Sequence, residues 1–316
     1  MTNAQFSLLV GDNPFHGISH LSQQRARTRF DQNQETIEHA ANLVALSLEN
    51  GADGFMFSVD QTTLSIIEKV SQNHSGEPVR LYAIAPYAYE YVRKATHNGG
   101  VSGLAKSLAK ELLLSSNIKV VASNVAGLLR LNLSALLKTY VAYELSRIKA
   151  AAKRNVVLES FMLHELVTDM ALALNLEGLC KSYIDFLEER NIRPGFETRN
   201  FPYLVNKFRE WNIDFSKLTL TSAFNKVGFQ MCPSKLECEQ ALNRACEAEV
   251  IAMSVLAAGY LKPAEAVGYL AGLSGLSGLV IGVSKERQAA ETFRLFKSGL
   301  PSVELPQDFV LSEVKM

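Results

Sequence analysis

Polar, ionisable side chains follow the apolar runs of this sequence directly, where a ligand could reach them. His164 comes straight after the run VVLESFML, and an imidazole that titrates near neutrality can give or take a proton. Asp12, Asp60 and Glu197 lie just after or at the end of other apolar runs, and each carboxylate could partner the histidine. These four residues predict acid/base catalysis with His164 as the acid/base. An equally weighted alternative for His164 is a structural ring that hydrogen-bonds to the backbone.

A second group of residues could bind an anion. The last apolar run ends at Gly282 and is followed by Ser284, Lys285 and Arg287 at the start of a helical pattern. Glycine lets the backbone come close to a ligand, and the free N–H groups of a helix start face an anion. The two cationic side chains would add charge. We expect a phosphate or another anion here; the alternative is that Ser284 only caps the helix.

Two further carboxylate and amine candidates have competing interpretations. Glu159 and Glu197 fall in or at the end of apolar runs, where an unpaired carboxylate would be costly. Arg199 or Lys226 could supply the partner. Glu159 is interpreted as structural, and Glu197 as functional. Lys226 could form a Schiff base with a carbonyl substrate, but a solvated or phosphate-facing lysine is favoured.

Metal binding and disulfide formation are both disfavoured. His16 and His20, in HGISH, could share a helix face and join His164 or Glu197 at a divalent metal,. A loop-ordering His16 and a surface His20 are preferred, so no metal site is predicted. The four cysteines form no CxxC pair, and we expect reduced thiols that bind no zinc.

The elements that must position these residues are eight short apolar runs separated by helical patterns. Such runs are apolar throughout, as in parallel strands covered on both faces. Alternation of strand and helix favours a (β/α)8 TIM barrel, whose active site gathers at the carboxyl ends of the strands and whose phosphate site follows the last two strands. The predicted strands cover residues 6–10, 54–59, 80–86, 156–163, 193–198, 218–224, 250–256 and 278–284. The predicted helices between them include residues 35–49, 62–70, 177–190, 203–211, 234–247 and 263–273.

The chain is predicted to be one barrel domain, residues 1–316, with an enlarged helical connection between strands three and four. That connection, up to Arg154, contains a ninth strand-like run at residues 118–122. A doubly wound open sheet is the rival fold, but GDNPFHG after the first strand is not the GxGxxG turn of such sheets,.

Composition limits the class of partner. Lysine plus arginine and aspartate plus glutamate number 32 each, so no overall field would attract nucleic acid or an anionic membrane. The sequence has no apolar run of membrane-spanning length. We expect a cytoplasmic protein that binds a small-molecule substrate, one with an anionic group, and neither nucleic acid nor membrane.

From His164 onward the sequence resembles the aldo/keto reductase superfamily. FMLHEL is similar to that family's strand-four leucine-leucine-histidine, IRPGFETRNF to its "IGVSNF" segment through Asn200 and Phe201, and VIAMSVLAAGYL to its "Y-SPLAGGLL" segment. VIGVSKERQAAETF resembles the stretch that grips the 2′-phosphate of NADP, with Ser284 and Arg287 at matching positions. The resemblance implies the barrel and a nucleotide or phosphate pocket to which Asn200 would contribute, so NADP is a candidate cofactor.

The reductase tetrad of Asp, Tyr, Lys and His is largely missing. Only His164 matches; Asp60 is offset, and Thr62 or Thr63 stands near the place of the tyrosine. RLYAIAPY has no lysine where the family has one, and Ser254 replaces the tyrosine that stacks on nicotinamide. Hydride reduction would therefore lack its usual proton donor.

Three functions are consistent with these observations. The first is a lyase or isomerase that acts on a small polar or phosphorylated carbonyl metabolite by proton transfer. The second is an NADP-dependent oxidoreductase with a rearranged proton donor such as Tyr87. The third is a catalytically silent barrel that serves as a binding or regulatory subunit.

Overall fold

The computed structural model describes residues 3–4, 6–16, 34–86, 133–300 and 303–304. Its central feature is a closed barrel of eight parallel strands, in which each strand pairs with the next along the chain and the last returns to the first. The last strand closes the ring by pairing Val280 with Leu9. The strands are β1 Ser7–Gly11, β2 Gly54–Ser58, β3 Val79–Ala85, β4 Val156–Leu163, β5 Arg193–Glu197, β6 Thr219–Ala223, β7 Glu249–Met253 and β8 Gly278–Gly282.

The predicted barrel is therefore confirmed, and the open-sheet rival is wrong. Each of the eight predicted strands is present, and its observed ends lie no more than three residues from the predicted ends. Val156–Leu163 has the predicted bounds. The largest difference lies after β7, which ends at Met253 rather than at residue 256. The apolar run continues because Val255 is buried, although it lies beyond the paired backbone. Burial and strand pairing are thus separate properties, and only burial is visible in an apolar run.

Helices surround the barrel in the described parts of the chain. Their starts follow local capping rules: the side chains of Asp60, Asn200 and Ser234 each accept a hydrogen bond from a backbone N–H of the first helical turn,. The helices are α1 Gln34–Glu49, α2 Gln61–Asn73, α3 Leu133–Ala151, α4 Glu165–Ala173, α5 Glu177–Glu188, α6 Phe201–Glu210, α7 Lys235–Leu242, α8 Pro263–Leu270 and α9 Glu286–Gly299.

The long connection between β3 and β4 is only partly described. Its last part is α3, which ends at Ala151 and leads into β4. The ninth strand-like run at residues 118–122, the predicted helical pattern before α3, and the residues Tyr87 and His20 lie outside the described residues.

Two layers of apolar side chains hold the fold together. The larger cluster fills the space between strands and helices. A smaller cluster inside the ring contains Leu9, Met56, Tyr82, Met162 and Ile251 among its buried members. Successive strand residues point to opposite faces, so the same strands supply both layers. The result is a packed barrel interior, above which side chains at the strand ends can converge.

A polar network closes the opposite, amino-terminal end of the barrel. The hydroxyl of Tyr82 donates to Oε1 of Glu249 at 2.7 Å, and that of Thr219 donates to Oε2 at 2.8 Å. Arg80 pairs with Glu159 at 3.5 Å. The structural interpretation of Glu159 is consistent with this contact, but the partner is Arg80 and not Arg199 or Lys226.

The ends of the described chain meet in a short ribbon. Asn3–Ala4 pairs antiparallel with Val303–Glu304. The assignment of residues 1–316 to a single domain stays a prediction, because most of the residues beyond 300 are outside the described part. No helix among the described residues has the length and apolar character needed to span a membrane.

Candidate active site

The carboxyl ends of the strands bring the predicted catalytic residues to one face of the barrel. Asp12 follows β1, Asp60 lies two residues after the end of β2, His164 follows β4, and Glu197 is the last residue of β5. Because all eight strands are parallel, these positions share one rim. Asp12, Asp60 and Glu197 are buried, and His164 is half-buried.

His16 forms the centre of the site with two carboxylates. The short 3-10 helix Asn13–His16 turns its ring back towards the strand ends. Its Nε2 lies 3.1 Å from Oδ2 of Asp12, and its Nδ1 lies 3.2 Å from Oδ2 of Asp60. Burial alone would lower the pKa of His16, but the hydrogen bond and charge of Asp12 and the charge of Asp60 outweigh it and raise the pKa. The ring therefore keeps its proton to a higher pH than an exposed histidine does.

Backbone and side-chain donors fix the two carboxylates. The N–H of Ser58 donates to Oδ2 of Asp12 at 2.7 Å. Asp60 caps α2, where its Oδ1 accepts from the N–H of Thr63 at 2.8 Å. Burial raises the pKa of Asp60, although His16 and Thr63 both act in the opposite direction. Asp60 is thus a more basic carboxylate than an exposed aspartate.

Sequence reasoning assigned His16 to loop ordering or to a metal and missed its pairing with Asp12 and Asp60. A local signal existed, since Asp12 and His16 are four residues apart, which is one turn of helix. The other half of the contact, to Asp60, joins residues 44 positions apart and had no local signal.

Glu197 is a buried carboxyl on the other side of the rim. Burial raises the pKa of Glu197 to about 8, and the charges of Glu165 and Asp12 act in the same direction. The N–H of Glu165, 3.3 Å from its Oε2, and the charge of Arg199 oppose the shift only in part. Glu197 therefore holds its proton at neutral pH and can donate it.

His164 has the backbone-bonded geometry that the structural interpretation expected. It is the N-cap of α4, and its Nδ1 accepts a hydrogen bond from the N–H of Leu166 at 3.2 Å. Burial lowers the pKa of His164, and Arg199 adds to the effect while Glu165 opposes it. A neutral ring that accepts at Nδ1 carries its proton on Nε2. A catalytic role for His164 stays a prediction.

An ion pair and a capping network lie beside Glu197. Arg199 pairs with Glu165. The hydroxyl of Thr198 donates to Oδ1 of Asp169 at 2.5 Å, and the N–H of Arg199 donates to Oδ2 at 3.2 Å. Arg199, one of the two cations expected to partner Glu197, is thus close enough to influence it. Its direct partner is Glu165, and it acts on Glu197 only through its charge.

The predicted anion corner is exposed. The N-cap of α9 is Lys285 and not Ser284, so the alternative in which Ser284 caps the helix is wrong. The N–H of Ser284 donates to Oε1 of Gln288 at 3.2 Å. Arg287 pairs along its own helix with Glu291 at 2.7 Å. An anion at this corner would therefore compete with bonds that the helix already makes.

Gly282 links the anion corner to the His16 group. A Cβ placed at Gly282 would lie 2.8 Å from two ring carbons of Pro14, which precedes His16 in the 3-10 helix. Only glycine leaves room for that helix to cross the end of β8. Gly282 was expected to let a ligand approach the backbone, but the group that approaches it is Pro14 of the same chain.

Three other candidates have structural contacts. Lys226 is exposed and lies 3.7 Å from Glu265, which agrees with a solvated lysine and gives no burial to support a Schiff base. Asn200 caps α6 by accepting from the N–H of Tyr203 at 3.2 Å. Ser254, where the reductases have a tyrosine, donates to Oε1 of Gln230 at 3.0 Å.

Metal ligands do not assemble in the described ranges: no group of three or more histidine, cysteine, aspartate or glutamate side chains there could hold an ion. All four cysteines are free thiols, with Cys180 and Cys238 buried.

The fold, but not the sequence, resembles that of known proteins. No protein-family model matches the chain, and no curated protein matches it in sequence. The solved structure of a candidate aldo-keto reductase from Pseudomonas aeruginosa superposes with a TM-score of 0.55 and 11% identity, over 92% of this chain and 89% of that chain. A second structure described in the same way, from the same organism, has a TM-score of 0.55 and 10% identity, over 92% of this chain and 90% of that chain. Identities this low establish architecture alone, and the chain has an aldo/keto-reductase-like (β/α)8 barrel fold.

Proposed function

We propose that the protein is an enzyme that transfers protons on a small polar carbonyl metabolite, as an isomerase or a lyase. The observation that carries the proposal is that two kinds of ionisable group share one rim. They are the ion-paired group Asp12–His16–Asp60 and the buried carboxyl of Glu197, which keeps its proton at neutral pH. A buried carboxyl such as Glu197, whose pKa is raised to about 8 so that it keeps its proton at neutral pH, is characteristic of a general acid.

The carboxylate of Asp60 and the carboxyl of Glu197 have complementary roles in this mechanism. Asp60 removes a proton from the carbon next to the carbonyl, and its raised pKa makes it a stronger base than an exposed aspartate,. Glu197 donates its proton to the carbonyl oxygen as negative charge develops there, which gives an enol. Where the deprotonated carbon carries a hydroxyl, the intermediate is an enediol, and isomerisation is completed when Asp60 returns the proton to the former carbonyl carbon while the second hydroxyl gives its proton back to Glu197. Where the next carbon carries a leaving group, that group departs with the bonding electrons, the enol proton returns to Glu197, and the carbonyl re-forms as a lyase product.

His16 serves this mechanism as a charged support. Its protonated ring, between Asp12 and Asp60, stabilises the carboxylate form that must act as base,. His164, at the end of the neighbouring strand β4, would bind the substrate through its Nε2–H. An anionic group on the substrate would bind at Lys285, Ser284 and Arg287, because Gly282 places that corner beside Pro14.

The alternative is an NADP-dependent oxidoreductase, and the likeness of the barrel to candidate aldo-keto reductases favours it. The described residues fit the cofactor poorly. Ser254 is bonded to Gln230 where the family stacks an aromatic ring on nicotinamide. Titration with NADPH, followed by fluorescence, separates the two: saturable quenching would favour the oxidoreductase, and unchanged fluorescence would favour proton transfer.

A catalytically silent barrel, acting as a binding or regulatory subunit, is the third possibility. Its weakness is that a buried carboxyl such as Glu197 lowers stability relative to an apolar side chain, and a barrel without a reaction gives that cost no purpose. The binding of a small molecule rather than nucleic acid or membrane, and a cytoplasmic location, remain part of the proposal.

Solvent-exchange measurements test the leading proposal. A panel of small ketoses, aldoses and 2-oxo acids, with and without a phosphate group, is incubated in D₂O and followed by proton NMR for loss of the signal next to the carbonyl. Glu197→Gln keeps the shape but removes the acid, so exchange should fall at least about 100-fold. Glu247→Gln, in an exposed ion pair with Arg209, is the control. No exchange on any compound, or equal exchange in Glu197→Gln, would overturn the proposal.

A further inference from the structure

Two of the four thiols lie close together beside the barrel mouth. Cys232 is exposed, and Cys238 is buried. The Sγ of Cys238 lies 3.4 Å from the carbonyl oxygen of Cys232. A carbonyl oxygen is about 2.4 Å from the Cα of its own residue by standard geometry, so that sulfur lies within about 6 Å of the Cα of Cys232.

The start of α7 creates this proximity. Ser234 caps the helix, and its Oγ accepts from the N–H of Glu237 at 3.2 Å. The N–H of Cys238 donates to the carbonyl oxygen of Ser234 at 3.1 Å, which closes the first turn. That turn brings Cys238 back beneath Cys232, six residues earlier in the chain. The backbone of Cys232 therefore adjoins the Cys238 sulfur, and a disulfide would form by rotation of the two side chains and movement of the loop that carries Cys232.

The two thiols have different environments. Burial raises the pKa of Cys238 to about 12, and the neighbouring Cys232 acts in the same direction. Cys238 is therefore protonated and shielded from an oxidant in solution. Cys232 is reachable by solvent, so it is the thiol that an oxidant meets first.

We propose that Cys232 and Cys238 are a peroxide-sensitive pair that forms an intramolecular disulfide. The thiolate of Cys232 attacks hydrogen peroxide, the O–O bond breaks, and the products are a sulfenic acid and hydroxide, which takes up the released proton as water. The sulfur of Cys238 then attacks the sulfenic sulfur, and the departing hydroxide takes the proton of Cys238 as a second water. Two thiols are oxidised by two electrons, and one peroxide is reduced to two waters.

The bridge would act on a loop at the rim of the barrel. Asn225, two residues after the end of β6, holds that loop by accepting from the N–H of Phe229 and donating to its carbonyl oxygen, both at 2.8 Å. The next residue, Gln230, accepts from Ser254 beyond β7. A disulfide from Cys232 to α7 would fix the far end of the same loop. The pair is independent of the reaction proposed for the barrel.

Peptide mapping tests the pair directly. The folded protein is treated with hydrogen peroxide, the remaining thiols are alkylated, and the protein is digested with trypsin without reduction. Lys235 separates the two cysteines, so a bridge joins peptide 227–235 to peptide 236–244. We expect this linked pair, about 2 Da lighter than the sum of the two free peptides, and its release on reduction.

Three variants sharpen the test. Cys246→Ser removes the other exposed thiol and should leave the linked pair unchanged. Cys232→Ser should abolish it and leave Cys238 open to alkylation after denaturation. Cys238→Ala should abolish it and drive Cys232 to sulfinic or sulfonic acid. Oxidation of Cys232 to those acids in the wild-type protein, with Cys238 still a free thiol, would overturn the proposal, as would four intact thiols.

Discussion

Nε2 of His16 lies 3.1 Å from Oδ2 of Asp12, four residues earlier in the chain. Both side chains are almost fully buried, with 5% and 9% of their surface exposed. Burial of an ionisable pair is costly unless each charge has a partner. Here Asp60 supplies a second charge to the ring, and the N–H of Ser58 supplies a donor to Asp12.

Glu197 should make stability fall as pH rises. Its folded-state pKa of about 8 lies above the ordinary value of 4.5, so between these values the folded state holds a proton that the unfolded chain has lost. The free energy of unfolding should then fall with pH across that window, by up to about 1.4 kcal/mol per pH unit from this group. Urea denaturation at pH 5, 6.5 and 8 measures the slope.

Glu197→Gln is the control for this slope, because it keeps the side-chain shape but cannot ionise. Its stability should depend less steeply on pH than that of the wild-type protein. Equal slopes in the two proteins would show that Glu197 ionises normally.

Asp60→Asn should lower the pKa of His16. Removing one of the two carboxylates takes away a charge that favours the imidazolium, while burial continues to oppose it,. Because the folded-state pKa of His16 is raised, its contacts with the two carboxylates contribute their full stability below pH 6.5. That contribution is lost as pH rises through the folded-state pKa. NMR titration of the histidine rings measures the midpoint. A midpoint that stayed in place or moved upward would contradict the contact.

Thr221→Val should be neutral or slightly stabilising. Thr221 pairs with Glu197 across β5 and β6, and its buried hydroxyl has no hydrogen-bond partner within the described structure. Removing an unpaired buried hydroxyl leaves no partner behind, so the change in unfolding free energy should lie between about 0 and +1 kcal/mol.

The neighbouring Ser222 is the matched control. Its hydroxyl donates to the carbonyl oxygen of Thr198 at 2.9 Å, so Ser222→Ala should lower the unfolding free energy by about 1 kcal/mol. Thermal or urea denaturation compares the two variants. A loss in Thr221→Val as large as that in Ser222→Ala would indicate that the Thr221 hydroxyl binds an ordered water.

Glu249→Ala should destabilise the amino-terminal end of the barrel by about 2–4 kcal/mol, mainly through two buried hydroxyls that lose their acceptor. The substitution leaves Arg80 and the hydroxyls of Tyr82 and Thr219 without their common acceptor. Glu247→Ala, two residues earlier, breaks only an exposed pair with Arg209 and should change stability by less than about 1 kcal/mol. Similar losses in the two variants would mean that the network contributes no more than a surface pair.

Gly282→Ala should disturb the His16 group from a distance. The new Cβ would meet the ring carbons of Pro14 at 2.8 Å and push the 3-10 helix away from β8. The midpoint of the His16 titration should fall as its carboxylate contacts lengthen. Gly178→Ala in α5, where an added Cβ meets nothing within 4 Å, should leave that titration unchanged. An unaltered His16 midpoint in Gly282→Ala would show that the helix can shift without moving the ring.

The order of strands and helices, and the polar residues that follow each strand, could be predicted from the sequence. Val156–Leu163 is apolar enough to be recognised as a strand, and His164 comes directly after it, so its place at the rim follows from chain order. The same holds for Asp12, Asp60 and Glu197. Apolar runs and helical spacing are local, because each depends on which face of one element must be buried.

Tertiary structure alone decided which of those residues interact. His16 contacts Asp60 across 44 positions, and Glu159 contacts Arg80 across 79 positions. Distance, burial and charge environment arise only when β8 returns to β1 and the ring closes. Protonation depends on those three quantities, so the sequence could name the ionisable groups, and only the folded barrel could set which of them hold a proton.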